Sequence, residues 1–226
     1  RIEASPPMNL NRRPLYEDVA DQLRERIFRN ELRPGEWLDE LKLASEMTIS
    51  RTPMREAIKV LAAEGLVEMR PRRGAYVAES SPDDLRDIYH LLSLLESDAA
   101  AELAASDDGA ALRELEDLHE QLRRSASSIP VAANEFFRIN EAFHLRLLQL
   151  AGNRWRTQVV QDLRKLMKLH RHHSLLKRGR ISASFDEHEA LMATLRAGQA
   201  DGARRAMQAH FASGLEAASA PAPAAA

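Results

Sequence analysis

From Leu15 to Phe28 the apolar positions Leu15, Val19, Leu23 and Ile27 recur every four residues, which predicts a helix with one buried stripe. The pattern stops before ELRPGEWL, where Pro34-Gly35 marks a turn. A short helix follows, with Leu38, Leu41 and Ala44 expected to face a core, and Glu46 to Ile49 breaks it. Ser50 is a natural N-cap, with Pro53 in the first turn of the next helix. That helix runs to Glu64, carries Met54, Ala57, Ile58 and Leu61 on one face, and places Gly65 just past its end. Two short extended runs, Leu66–Met69 and Ala75–Val77, flank the tip Arg70-Pro71-Arg72-Arg73-Gly74, the pattern of a hairpin.

After SSPDD at 80–84 every apolar pattern is helical, with helices expected near 83–105, 110–125, 130–151, 154–177, 183–198 and 201–217. The organisation predicted is a disordered arm over 1–13, a domain of three helices and a hairpin over 14–79, an all-helical domain over 80–218, and a disordered tail over 219–226. The fold class is mainly α: a winged helix-turn-helix followed by a six-helix bundle.

Composition narrows the function classes. The chain of 226 residues has no cysteine, so disulfides and thiolate metal sites are excluded. No apolar run approaches the roughly 20 residues that span a bilayer. The N-terminus RIEASPPMNLNRRP lacks the apolar core of a secretory signal, so the expected location is cytoplasmic, with no membrane partner. The formal net charge is −2, so any basic footprint for nucleic acid must be local.

Such a footprint lies between residues 50 and 74, where Arg51, Arg55, Lys59, Arg70, Arg72 and Arg73 face only Glu56, Glu64 and Glu68. The third helix of a winged helix-turn-helix enters the major groove by its N-terminal end. Here that end carries Ser50, Arg51, Thr52 and Arg55. Hydroxyls and a helix N-terminus suit phosphate oxygens, and an arginine can bind guanine O6 and N7. Arg72 and Arg73 at the wing tip are placed to follow the backbone or reach the minor groove, and Gly74 lets the tip turn tightly. A capped surface helix with solvated arginines answers the charge pattern equally well.

The run PGEWLDELKLASEMTISRTPMREAIKVLAAEGLVEMRPRRGAYV resembles the GntR family of bacterial transcription regulators. The matching pieces are Pro34-Gly35, Leu43-Ala44, Ser50-Arg51-Thr52-Pro53, Arg55-Glu56-Ala57, Glu64-Gly65-Leu66-Val67 and Arg73-Gly74. The resemblance implies operator DNA as partner, with Ser50, Arg51, Thr52 and Arg55 at the DNA and Gly74 in the wing. The family often has an arginine after the glutamate matched by Glu40. This chain has Leu41, which implies a lost contact and a different operator preference.

In the helical domain, Asn140 and His144 are four residues apart and share a helix face, while His188 and His210 fall on two later helices. Imidazoles from several helices can converge on a metal in a bundle core, and three of them suit zinc, nickel, iron or another first-row divalent ion. From spacing alone, three unrelated histidines, each with its own hydrogen bond, are the better account.

This domain is similar to the FCD type of effector domain in the FadR-like branch. The similarity rests on Tyr89, Leu95-Glu96, Asn140-Glu141-Ala142-Phe143-His144, Gly152-Asn153, Glu187-His188, and the series Gly198, Asp201, Ala203, Met207 and His210. It implies a divalent metal, zinc or nickel first, bound by Asn140, His144, His188 and His210, and a small carboxylate or sugar-acid effector held with its help. Asn140 stands where an acid is common, which weakens the ligand and removes a negative charge. Leu92 stands where an arginine often follows the tyrosine, so an effector contact is expected to be missing.

Between residues 163 and 185 there are seven Lys or Arg and no Asp or Glu. Leu163, Leu166, Met167 and His170 share one helix face, with Arg164, Lys168 and Arg171 on its flank. Either these three cations edge a cavity for an anionic effector, or the helix is a basic surface. His170, His172 and His173 are further pocket or reserve-ligand positions.

The function that unites both domains is a ligand-responsive regulator, a homodimer that represses from a pseudo-palindromic operator, and not an enzyme. Two alternatives stay open at this stage: a metal sensor without organic effector, and a three-histidine metalloenzyme with Glu187 or Glu189 as base. Against the enzyme, no HExxH helix is present and the DNA-reading domain would be unexplained.

Overall fold

The computed structural model describes residues 13–79, 81–106, 108–128, 131, 133–171 and 179–219. The chain divides into two compact units, residues 1–79 and 80–226. The expected arm and tail lie outside the described residues except for Arg13 and Ser219.

The first unit holds α1 (Leu15–Phe28), α2 (Glu40–Glu46), α3 (Arg51–Ala63), β1 (Val67–Arg70) and β2 (Gly74–Val77). Helix α1 buries Val19, Ala20, Leu23 and Ile27 against α3, which turns Met54, Ala57, Ile58 and Leu61 inward. At the far end of α3, Gly65 takes φ 75°. Its N–H bonds Ala62 O at 3.1 Å and the Leu66 N–H bonds Leu61 O at 2.9 Å, which closes the helix and starts the hairpin. Arg24 grips Glu64 through two hydrogen bonds of 2.9 and 3.0 Å, joining α1 to this turn.

The hairpin pairs Val67 with Val77, Glu68 with Tyr76, Met69 with Ala75 and Arg70 with Gly74. A third extended segment lies along β2: the Leu38 N–H bonds Ala75 O at 2.8 Å, and the Val77 N–H bonds Glu36 O at 2.9 Å. One expectation fails here. Leu38 and Ala44 are buried, but Leu41 is 59% exposed. The helix starts only at Glu40, with Asp39 capping the N–H groups of Leu41 and Lys42, so the inward positions are Leu43 and Ala44.

The second unit is a bundle of α4 (Pro82–Ala105), α5 (Gly109–Ala126), α6 (Ala133–Leu150), α7 (Arg154–Arg171), α8 (Arg180–Arg196) and α9 (Ala200–Ser219). Helix α4 opens with a reciprocal cap between Ser81 and Asp84 and packs against α6, α7, α8 and α9. Leu92, Leu115, Leu122, Phe136, Phe143 and Leu147 are wholly buried at its centre. No helix among the described residues is long and apolar enough to cross a membrane.

Candidate functional site

Helix α3 presents its first turn to solvent. Ser50 is the N-cap residue, but its hydroxyl makes no capping hydrogen bond, and no acid sits in the first turn. The leading N–H groups and the exposed Ser50, Arg51 and Thr52 therefore form one donor-rich end. Arg55, 55% exposed, bonds Glu40 of α2 at 2.8 Å, which orients its guanidinium. Arg72 and Arg73 are exposed at the hairpin tip, where the Arg73 N–H bonds Arg70 O at 3.0 Å. Arg72 itself takes the left-handed region at φ 63°. Gly74 follows at φ 96°, and a Cβ there would meet the Trp37 indole nitrogen at 2.9 Å. Two constraints, conformation and the indole, thus call for glycine at that position.

In the helical unit, α6, α8 and α9 bring His144, His188 and His210 together, all buried, with a ligand atom from each within 4.8 Å of the others. Asn140, one turn before His144, places its Oδ1 2.8 Å from His188 Nε2. Two carboxylates orient two of the rings. Glu96 on α4 bonds His144 Nδ1 at 2.7 Å, and Glu187 on α8 bonds His210 Nδ1 at 2.7 Å. In the neutral rings this puts the proton on Nδ1 and the lone pair on Nε2, the arrangement of a metal-ligating histidine. His188 Nδ1 has no hydrogen-bond partner among the described residues.

The protonation states fit the same chemistry. Burial pushes His188 well below its ordinary value, and neighbouring positive charge adds to the shift. Burial also lowers His210, outweighing the pull of the Glu187 carboxylate. Neutral imidazoles are what a metal needs. For Glu187, burial works to raise the carboxyl, but hydrogen bonds from His210, Arg180 and Ser213 outweigh it and hold it at about 2. Such an anion orients a histidine; it is a poor general base.

A cavity of about 30 Å³ opens beside the cluster, lined in part by Tyr89, Asn140, His144, Arg164, Arg180 and His210. Arg164 is buried and clasps Glu96 with two hydrogen bonds of 2.7 Å. Arg180 clasps Glu187 at 2.7 and 3.0 Å and reaches Ser213 at 2.9 Å. Lys168 does not line the cavity and pairs with Glu141 at 2.6 Å. The side chains of His170 and Arg171, and all of His172 and His173, lie outside the described residues. Leu92 is fully buried in the core. Sequence reasoning missed the orienting roles of Glu96 and Glu187, and missed Arg180 altogether. The sequence signal was weak, because α4 carries six acids and nothing in their spacing marks Glu96 as the buried one.

The FCD domain profile matches residues 87–213, and that of the bacterial regulatory proteins of the gntR family matches residues 15–77. The chain is a GntR-family transcriptional regulator with an FCD domain. An uncharacterized HTH-type transcriptional regulator from an unstable DNA locus of Streptomyces ambofaciens is 36% identical over 149 residues, 65% of this chain and 61% of that protein. The gluconate operon transcriptional repressor of Bacillus licheniformis is 26% identical over 174 residues, 77% of this chain and 70% of that one. Among solved structures, Escherichia coli McbR/YncC has the same fold, with a TM-score of 0.76 at 21% identity over 91% of this chain and 97% of that chain. The regulator therefore joins a DNA-reading unit to a helical one, as its family does.

Proposed function

We propose that the regulator is a homodimeric, cytoplasmic repressor that binds operator DNA through Ser50, Arg51, Thr52, Arg55, Arg72, Arg73 and Gly74. Its control site is the cluster of Asn140, His144, His188 and His210, which holds a divalent ion, zinc or nickel, and through it a small carboxylate. A bound ion would supply positive charge to attract an anion oxygen. The observation that carries this reading is the pair of carboxylates, Glu96 and Glu187, each on the Nδ1 of a converging histidine. A relative that is a gluconate operon transcriptional repressor supports the repressor role.

Helix α4 supplies Glu96 and begins at Pro82, shortly after β2 ends at Val77. A change at His144 would thus act on α4, the first helix of the helical unit. The mechanism is a population shift, so the effector must bind the DNA-competent and DNA-incompetent states unequally. The small cavity favours a second reading, in which the ion alone is the signal.

The test is metal analysis of the purified protein, paired with operator-binding titrations. About one ion per chain is expected, with loss of the ion in His188→Ala. Operator release by a carboxylate in the metal-loaded protein supports the first reading; operator binding that follows metal alone supports the second. Unchanged metal content in His188→Ala removes that residue from the site.

A further inference from the structure

We infer that the ion and its anion bind this site as one cooperative pair, each supplying the charge that the other lacks, because Asn140 is neutral and both cavity arginines are already neutralised. This inference rests on the metal reading above.

The charges around the cluster cancel without any ligand. Arg164 is matched by Glu96 and Arg180 by Glu187, each through two hydrogen bonds. The candidate ligands bring no negative charge: Asn140 is an amide, and an imidazole ligates as a neutral ring. A divalent ion would bring two positive charges into a buried cluster with no anionic ligand. Burying charge without compensation is costly. An acid at position 140 would cancel one of those charges; the Asn140 amide cancels none.

The converse holds for an anion. Arg164 and Arg180 line the cavity, yet their charge is committed to the two glutamates. An anion entering alone finds N–H donors but no net positive charge. The ion and the anion are therefore linked, and linkage is reciprocal: each raises the other's affinity by the same factor. The cavity of about 30 Å³ has room for about two water molecules. The anion that fits without rearrangement is a compact carboxylate head.

The test uses the full chain and zinc as probe, titrated by calorimetry in a non-coordinating buffer, with and without formate or acetate at millimolar concentration. Zinc affinity is expected to rise at least tenfold with either carboxylate. Asn140→Asp is expected to bind zinc at least tenfold more tightly in the absence of carboxylate, and to reduce the carboxylate effect to less than threefold. Circular dichroism checks the folding of Asn140→Asp. Equal zinc affinity with and without carboxylate overturns the inference, as does an undiminished carboxylate effect in a folded Asn140→Asp. If neither the natural chain nor Asn140→Asp binds zinc or nickel under any of these conditions, the metal reading itself fails.

Discussion

Two arginine–glutamate pairs serve the two units of this molecule, one in each. Arg55 and Glu40 meet on the surface, with side chains 55% and 25% exposed. Arg164 and Glu96 meet in the bundle core, 6% and 0% exposed. The chemistry is the same and the surroundings are not. In water the first pair is worth little and can be exchanged for a phosphate or a base edge. In the core the second pair cannot dissociate without stranding a charge, so it acts as a fixed support for His144. Where a pair is buried decides whether its arginine is free to bind or committed to holding.

The strongest way to break this contrast is Glu96→Ala. It leaves Arg164 buried without its carboxylate, and the expected loss is about 3–5 kcal/mol of stability in the helical unit. Denaturant midpoints read that loss directly; a loss below about 1 kcal/mol would make the buried pair no different from a surface one. Acid gives the next largest effect. His188 and His210 are held below their ordinary value of 6.5, so below that pH the unfolded chain binds protons that the folded chain refuses. Glu187, held at about 2 against an ordinary 4.5, adds stability that is present above 4.5 and lost as the pH falls towards 2. Its share is roughly 3 kcal/mol once fully lost. Stability of the metal-free protein should therefore fall from about pH 6.5 downward, and unfolding curves that do not move between pH 7.5 and pH 4 would contradict the assignment.

Arg51→Ala or Arg55→Ala tests the other side. Each is expected to weaken operator binding by about 1–3 kcal/mol while leaving the thermal unfolding curve in place. Undiminished binding by both variants removes this helix end from the interface. The smallest effect is expected from Glu40→Gln. Stability should change by less than about 1 kcal/mol, and the salt dependence of operator binding should become steeper as Arg55 is released. Loss of folding in this variant would mean that the surface pair supports structure after all.

The helices were legible because their stripes are long: Val19, Leu23 and Ile27 in α1, and Met54, Ala57, Ile58 and Leu61 in α3, repeat over several turns and are buried. Helix α2 has seven residues, too few for periodicity to choose a face, so the pattern does not separate Leu41, which points out, from Leu43, which points in. In the candidate site, spacing alone favoured three unrelated histidines, and only the family resemblance grouped them with Asn140. Their supports could not be named from sequence, because Glu96 reaches His144 across 48 positions and Arg164 across 68. A basic helix flank on paper contained Arg164, which in three dimensions has its charge claimed from another helix.

The chain has two tryptophans, and each unit holds one. Trp37 stands against Gly74 at the tip end of the hairpin, and Trp155 lies exposed on α7 with the Arg154 guanidinium 4.7 Å from its ring centroid. Each unit therefore carries its own optical reporter. Replacing Trp155 with phenylalanine leaves a single emitter in the DNA-reading unit, and replacing Trp37 leaves one in the helical unit. Zinc added to either variant then shows, in the unlabelled protein, whether binding at the histidines alters the surroundings of that unit's tryptophan.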